Sequence, residues 1–219
     1  ALVEDLGSGD ITANLIRANE HSTAGILCRE QAVFCGAPWV DEVFRRLGGV
    51  SINWQVTEGT LVSPDSILCT LEGPTRTLLT GERAALNFLQ TLMGTATTAR
   101  NYANAATPRD ITVLDTRKTI PGLRAAQKYA VRQGGCENHR AGLFDAFLIK
   151  ENHITACGSI TNAVEEARKQ QPEAPVIVEV ETLNELEEAI LAAPDQIMLD
   201  NFSDSMIEEA FALCGAIDI

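Results

Sequence analysis

Four short segments carry residues able to handle a small polyanion: Asp115-Thr116-Arg117-Lys118-Thr119, Lys150-Glu151-Asn152-His153, Glu179-Val180-Glu181-Thr182 and Asp200-Asn201. Each follows an apolar run, at 111–114, 146–149, 176–178 and 197–199. Arg117, Lys118 and Lys150, together with Arg140, could hold a ligand bearing several negative groups. Arginine suits planar carboxylates and phosphates because its N–H fork meets two oxygens at once. A single exposed ion pair contributes only about 0–1 kcal/mol, so holding a small dianion requires several charges converging away from water. Glu181 and Asp200 are the acidic counterparts, suited to Mg2+, sugar hydroxyls or a developing positive centre. Glu179 and Glu181 are two apart and share one strand face. Glu181, nearer the strand's end, is the candidate, with Glu179 in support. His139, beside Arg140, could be an acid/base or a donor to ligand, although a loop histidine is more often structural. His153 reads as a strand-end packing residue and His21 as exposed loop.

Other chemistries lack their residues. No G-x-S-x-G nucleophile turn, phosphate loop of the G-x-x-x-x-G-K-[ST] type or G-x-G-x-x-G occurs. Gly7-Ser8-Gly9 has two glycines and no preceding strand. Cys28, Cys35, Cys69, Cys136, Cys157 and Cys214 form no C-x-x-C pair and no zinc spacing. Free thiols acting as small buried hydrophobes are expected.

The 219 residues carry a formal net charge of −13, which argues against a nucleic-acid partner. The charge is uneven. Between Arg117 and Lys150, seven Lys/Arg face only Glu137 and Asp145, a local balance of +5. A cationic patch in an acidic chain points to a small anion. Within it, Lys128 and Arg132 sit mid-helix and read as a solvated face. No apolar run is long enough to span a bilayer. The opening Ala1-Leu2-Val3-Glu4-Asp5 has neither a basic region nor an apolar core, so a cytoplasmic location is expected.

Two patterns position these residues. Up to about residue 74 the chain reads as short strands (23–29, 32–35, 52–57, 66–71) around a helix at 38–47, an α/β sandwich. A helical stretch over 75–106 follows, with Gly94 expected to divide it. These form a first domain, 1–106. From 107 to 219 strands at 111–114, 146–149, 176–180, 196–199 and 216–219 alternate with helices at 122–133, 159–170, 183–192 and 203–213. Alternation of this kind predicts a parallel sheet covered by helices, with an α/β barrel as its closed form. Four charged strand ends would then meet at one mouth, where barrels place their active sites.

Taken together, these segments resemble the quinolinate phosphoribosyltransferases across the whole chain. The resemblance rests on Glu4–Thr12, Thr80–Phe88, Asp115–Thr119, Pro121–Arg124, Asn138-His139-Arg140, Phe147–His153, Val178–Thr182 and Leu199–Phe202. As a set they are highly specific; each alone is not. The resemblance implies an N-terminal α/β sandwich, a C-terminal α/β barrel and a homodimer with shared active sites; the choice between dimer and hexamer stays open. It implies quinolinate and phosphoribosyl pyrophosphate as substrates and Mg2+ as cofactor. Arg83 would reach the partner subunit's site, a role that its helical position alone would not suggest. Thr116, Arg117, His139 and Arg140 would bind quinolinate. Lys118 and Lys150 would face the substrate anions at the reaction centre, and Glu181 and Asp200 would sit near the ribose and Mg2+-pyrophosphate, directly or indirectly.

Family members continue with Gly-rich segments that bind the 5-phosphate, whereas this chain stops inside an expected strand. An incomplete chain, with C-terminal barrel strands missing, is therefore expected. Three rivals remain: a paralogue acting on another pyridine or anion, a Schiff-base aldolase using Lys150, and a non-catalytic carboxylate binder.

Overall fold

The computed structural model describes residues 1–109 and 111–214. Its contacts divide the chain into two compact units, Ala1–His139 and Arg140–Ile219. The sequence pattern, by contrast, changes after residue 106.

The first unit runs α1 (Leu2–Leu6), β1 (His21–Cys28), β2 (Ala32–Val33), α2 (Ala37–Leu47), β3 (Ser51–Trp54), β4 (Leu61–Val62), β5 (Ser66–Pro74), α3 (Thr75–Ala106) and α4 (Arg124–Gly134). β1, β5 and β3 form an antiparallel sheet in the order β1-β5-β3, and β2 pairs with β4. The sheet's inner positions Leu68, Cys69 and Leu71 pack with Val40, Val43 and Phe44 of α2 and with Leu78, Ala85 and Leu89 of α3. Val40, Val43, Phe44 and Leu47 recur at the three-to-four spacing that puts one helix face inward.

α3 is one continuous helix of 32 residues. Gly94 does not divide it. A Cβ there would meet nothing within 4 Å, and the helix continues around it because its neighbours Leu92, Met93 and Ala96 are buried. α4 lies against α3 through Ala126 and Ala130, which share a core with Leu92 and Ala96. The approach is close at Gly134, where a Cβ would fall 2.4 Å from the Ala96 carbonyl oxygen. Only glycine fits there. Arg100 Nε then donates to the Gly134 carbonyl at 2.8 Å, which caps the contact.

The expected strand at 111–114 reduces to a single parallel bridge, Leu114 to Glu137. Ile111 and Leu114 are exposed, so burial gives this run little support as a strand. Two backbone bonds hold it: Glu137 N–H to the Val113 carbonyl at 2.9 Å and Asp115 N–H to the Glu137 carbonyl at 3.0 Å.

The second unit contains β6 (Phe147–Ile149), α5 (Glu151–Cys157), α6 (Ile160–Gln170), β7 (Val176–Val180), α7 (Leu183–Ala192), β8 (Gln196–Leu199) and α8 (Asp204–Cys214). The strands are parallel, in the order β6-β7-β8. Ile149, Val176, Val178, Val180 and Ile197 share one face and form a core with Ile160, Val164 and Leu186 of the helices. Each such residue contributes about 1.5–3 kcal/mol of burial. Ser159 caps α6 and Thr182 caps α7, each accepting an N–H three residues on. Among the described residues the sheet has three strands and does not close on itself; a barrel needs about eight. The strand expected at 216–219 lies outside the described residues.

Three smaller expectations need correction. α5 occupies a stretch that had no helix assigned. His153 is exposed and caps α5, its Nδ1 accepting the Lys150 N–H at 3.1 Å. It does not pack at the strand end. Cys35, Cys69 and Cys136 are buried thiols, but Cys157 is exposed at the end of α5, where the helix faces solvent.

Candidate active site

The register of the parallel sheet decides which charged residues share a face. Ile149 pairs with Val178 and Val178 with Ile197, and these point into the core. Alternation therefore puts Leu148 and Lys150, Ile177, Glu179 and Glu181, and Met198 and Asp200 on the other face. Lys150, Glu179 and Asp200 lie together at its C-terminal end. Lys150 Nζ donates to both Glu179 carboxylate oxygens at 2.6 Å. Glu179 is 9% exposed within a strand that is otherwise Val and Ile. A carboxylate so placed requires a cation or several donors, and Lys150 provides the cation.

Asp200 is half-buried, and its backbone N–H donates to the Val180 carbonyl at 2.9 Å. Asn201 follows at φ 59°, and its amide donates to Asp200 Oδ2 at 3.0 Å. Glu181 lies past the end of β7 and is exposed; its N–H is bound by the Glu185 carboxylate at 2.8 Å. The ranking of Glu181 over Glu179 therefore does not follow the packing. Glu179 is the carboxylate held in a low-dielectric position against a lysine. The sequence signal was available: a lone Glu in a run of Val and Ile.

In the first unit the cationic segment is built around Asp115. Its Oδ1 accepts from Lys128 Nζ and, at 2.9 Å, from the His139 N–H. Lys128 also donates to the His139 carbonyl at 2.8 Å. The Asn138 amide, oriented with nitrogen toward its acceptors, donates to Asp115 Oδ2 and to the Lys128 carbonyl, both at 2.9 Å. Lys128 is 5% exposed. The solvated-face expectation is thus overturned for Lys128, while Arg132 is exposed as expected. Ala126 and Ala130 give α4 one apolar face, and no sequence pattern showed that its other side would be covered too.

Asp115 leads into Thr116, Arg117 and Lys118. Thr116 and Lys118 are exposed, with the Lys118 N–H donating to Thr116 Oγ1 at 3.1 Å. Arg117 is half-buried, and its Nε is fully buried with no hydrogen-bond partner. A buried guanidinium donor without an acceptor calls for explanation, and an anionic ligand is one. Arg140 is half-buried, its Nη1 donating to the Ala146 carbonyl at 3.2 Å. The loop after it is tied by Asp145, which accepts the N–H groups of Ala141 and Gly142. The Ala141 bond is the main cause holding the Asp145 carboxyl below its usual range. Arg83 is exposed on α3 and borders a groove of about 1100 Å³ between that helix and β1, with Leu79, Leu86 and Gln90.

The carboxylates offer Mg2+ hard oxygen donors. Among the described residues no group of three or more His, Cys, Asp or Glu could hold a metal ion. Two carboxylates suffice for Mg2+, which takes one or two from protein and fills its remaining positions with substrate oxygens and water. Glu181 and Asp200 fit that donor set. No helix among the described residues is long and apolar enough to cross a membrane.

Residues 10–93 match the N-terminal domain of quinolinate phosphoribosyl transferase, and residues 95–218 match its C-terminal domain. A probable nicotinate-nucleotide pyrophosphorylase (carboxylating) of Bacillus subtilis is 42% identical over 201 residues, 91% of this chain and 70% of that protein. The nicotinate-nucleotide pyrophosphorylase (carboxylating) of Mycobacterium leprae is 40% identical, over 92% of this chain and 73% of that protein. The solved nicotinate-nucleotide pyrophosphorylase of Francisella tularensis superposes with a TM-score of 0.96 at 44% identity, covering 99% of this chain and 78% of that one.

Proposed function

The chain belongs to the quinolinate phosphoribosyltransferase family, and from that premise we propose that it joins quinolinate to the ribosyl group of phosphoribosyl pyrophosphate, giving nicotinate mononucleotide, pyrophosphate and CO2 for NAD biosynthesis. The observation that carries this reading is the buried, unmet Nε of Arg117 in a segment anchored by Asp115. A planar carboxylate is the ligand that such a guanidinium fits.

Arg117, Thr116, His139 and Arg140 bind the two quinolinate carboxylates. A pyridine with one carboxylate would leave a buried cation without its partner, which selects quinolinate over nicotinate. Lys118 faces the substrate anions. At C1 of the ribose the bond to pyrophosphate breaks and positive charge develops on the sugar, as in glycoside hydrolysis. A carboxylate already held in place stabilises that cation without reorganising, and Glu179, held by Lys150, is the better placed of the two glutamates. The pyridine nitrogen then bonds C1. The ring is now a pyridinium, which takes the electron pair left when the 2-carboxylate departs as CO2. A proton from solvent or a protein group replaces it on C2. Mg2+, held by Asp200 and Glu181 directly or through water, would neutralise the departing pyrophosphate.

The three parallel strands would belong to the α/β barrel implied by the family resemblance. The protein would act as a homodimer in the cytoplasm, with Arg83 reaching the partner's site from α3. The exposed Leu79, on the same helix one turn earlier, supports an interface there. The Schiff-base alternative is weakened, because the Lys150 amine is committed to an ion pair with Glu179.

The test is a turnover assay on the full-length protein, following CO2 and nicotinate mononucleotide. Turnover with quinolinate that is absent with nicotinate is expected. Quinolinate binding without CO2 release would instead favour the non-catalytic binder.

A further inference from the structure

We propose that Lys128 is a positioning residue for quinolinate, acting through Asp115 to fix the two segments that carry the carboxylate-binding side chains; this rests on the reading above. The Asp115 side chain is 9% exposed and that of Lys128 6%. Around this pair meet three stretches of chain. Asp115 immediately precedes Thr116 and Arg117. Lys128 comes from α4. Asn138 and His139 return from the loop after α4 and lead directly into Arg140. Lys128 Nζ bridges the Asp115 carboxylate and the His139 carbonyl, while the same carboxylate takes the His139 N–H. Asn138 closes the ring by donating to Asp115 and to the Lys128 carbonyl. Asp115, Lys128 and Asn138 need not touch ligand, and His139 joins the cluster only through its backbone.

Stability alone does not account for such a pair. Well-packed apolar side chains of similar volume would serve at least as well, because burying two charges costs solvation that their attraction only partly returns. What the pair adds is direction. The bridge between 113–115 and 137 is a single isolated one, too short to fix register unaided. The carboxylate and ammonium lock residue 115 to residue 139 at both the N–H and the carbonyl of His139. Bidentate recognition of a carboxylate depends on such placement, since errors of a fraction of an ångström degrade it.

The experiment measures quinolinate affinity by calorimetry on full-length wild type, Lys128→Met and Lys128→Arg, with the KM for phosphoribosyl pyrophosphate measured alongside. Lys128→Met is expected to weaken quinolinate binding by about 10–100-fold. The KM for phosphoribosyl pyrophosphate should move far less, and Lys128→Arg should recover much of the loss. Unchanged quinolinate affinity with only a lowered melting temperature would overturn the proposal. So would equal losses for both ligands. Should Lys128→Met not fold, Asn138→Ala decides. It removes two amide bonds and keeps the ion pair, and unaltered quinolinate affinity in it would equally overturn the proposal. A wild type that binds quinolinate but releases no CO2 would sink the reaction reading, while the affinity comparison would still decide the role of Lys128.

Discussion

Two lysine–carboxylate pairs sit in this chain under different conditions. In the first unit, Lys128 and Asp115 have side chains 6% and 9% exposed, and both make further bonds to backbone. In the second, Glu179 is buried at 10% but Lys150 is 40% exposed. The first pair is sealed and directional. The second has one partner open to solvent. The same two functional groups thus form a sealed pair in one place and a solvent-reaching pair in the other, and burial makes the difference.

The contrast can be broken most directly at Asp115. Asp115→Asn leaves Lys128 buried without its counter-charge and is expected to cost about 3–5 kcal/mol, read by urea unfolding. A loss below about 1 kcal/mol, as for a surface pair, would erase the contrast. Next in size is Arg117→Ala, which removes the guanidinium of the proposed carboxylate site. We expect kcat/KM for quinolinate to fall roughly 100-fold, equivalent to about 2.7 kcal/mol. An unchanged value would detach Arg117 from the substrate. Lys150→Met leaves a buried carboxylate with one fewer partner, at about 1–3 kcal/mol of stability, alongside a large loss of kcat. If stability fell as far as in Asp115→Asn, Lys150 would be the structural lysine.

The smallest effect is at Asp195, far from the chemistry. Its carboxylate accepts from Arg168 Nη1 at 2.9 Å and from the Val176 N–H at 2.6 Å, and Arg168 first and then Val176 hold it below the usual 3.8. A lowered carboxyl pKa adds stability above the unfolded-state value, and that contribution is lost as pH falls through the folded-state value. Asp195→Asn should therefore destabilise at pH 7 by less than about 1 kcal/mol, given the half-exposed pair. The difference from wild type should shrink as pH falls below 3.8 and vanish once pH is below the lowered folded-state value. A deficit that persisted in acid would show that Asp195 acts through something other than its charge.

Much of this could be read in the sequence, for identifiable reasons. The strand–helix alternation from residue 146 onward gave β6, β7, β8 and the helices α6 to α8, because buried parallel strands are continuous apolar runs and α6 and α7 begin with a capping Ser or Thr. The strand at 111–114 failed because a short apolar run does not show whether anything covers it. Gly94 misled because glycine weakens a helix by only about 1 kcal/mol, which the buried face of α3 overrides. Residue types and strand ends make Arg117, Lys150 and Asp200 candidates, and the structure half-buries all three, with Lys150's partner Glu179 buried. Lys128 reads in the sequence as a solvated face, and Asp115 and Asn138 carry no structural role there, because all three depend on partners distant in sequence. Glu179 was ranked below Glu181 by nearness to the strand end, whereas burial against Lys150 singles it out.

The central claim is that the carboxylate stabilising the ribosyl cation is the buried Glu179 rather than the exposed Glu181. The measurement is kcat for quinolinate-dependent CO2 release at saturating substrates, comparing Glu179→Gln with Glu181→Gln. The account predicts a fall of about 100–1000-fold for Glu179→Gln, in line with loss of a preorganised electrostatic group, and a clearly smaller fall for Glu181→Gln, which keeps an oxygen donor toward Mg2+. A collapse in Glu181→Gln with Glu179→Gln near wild type would contradict it.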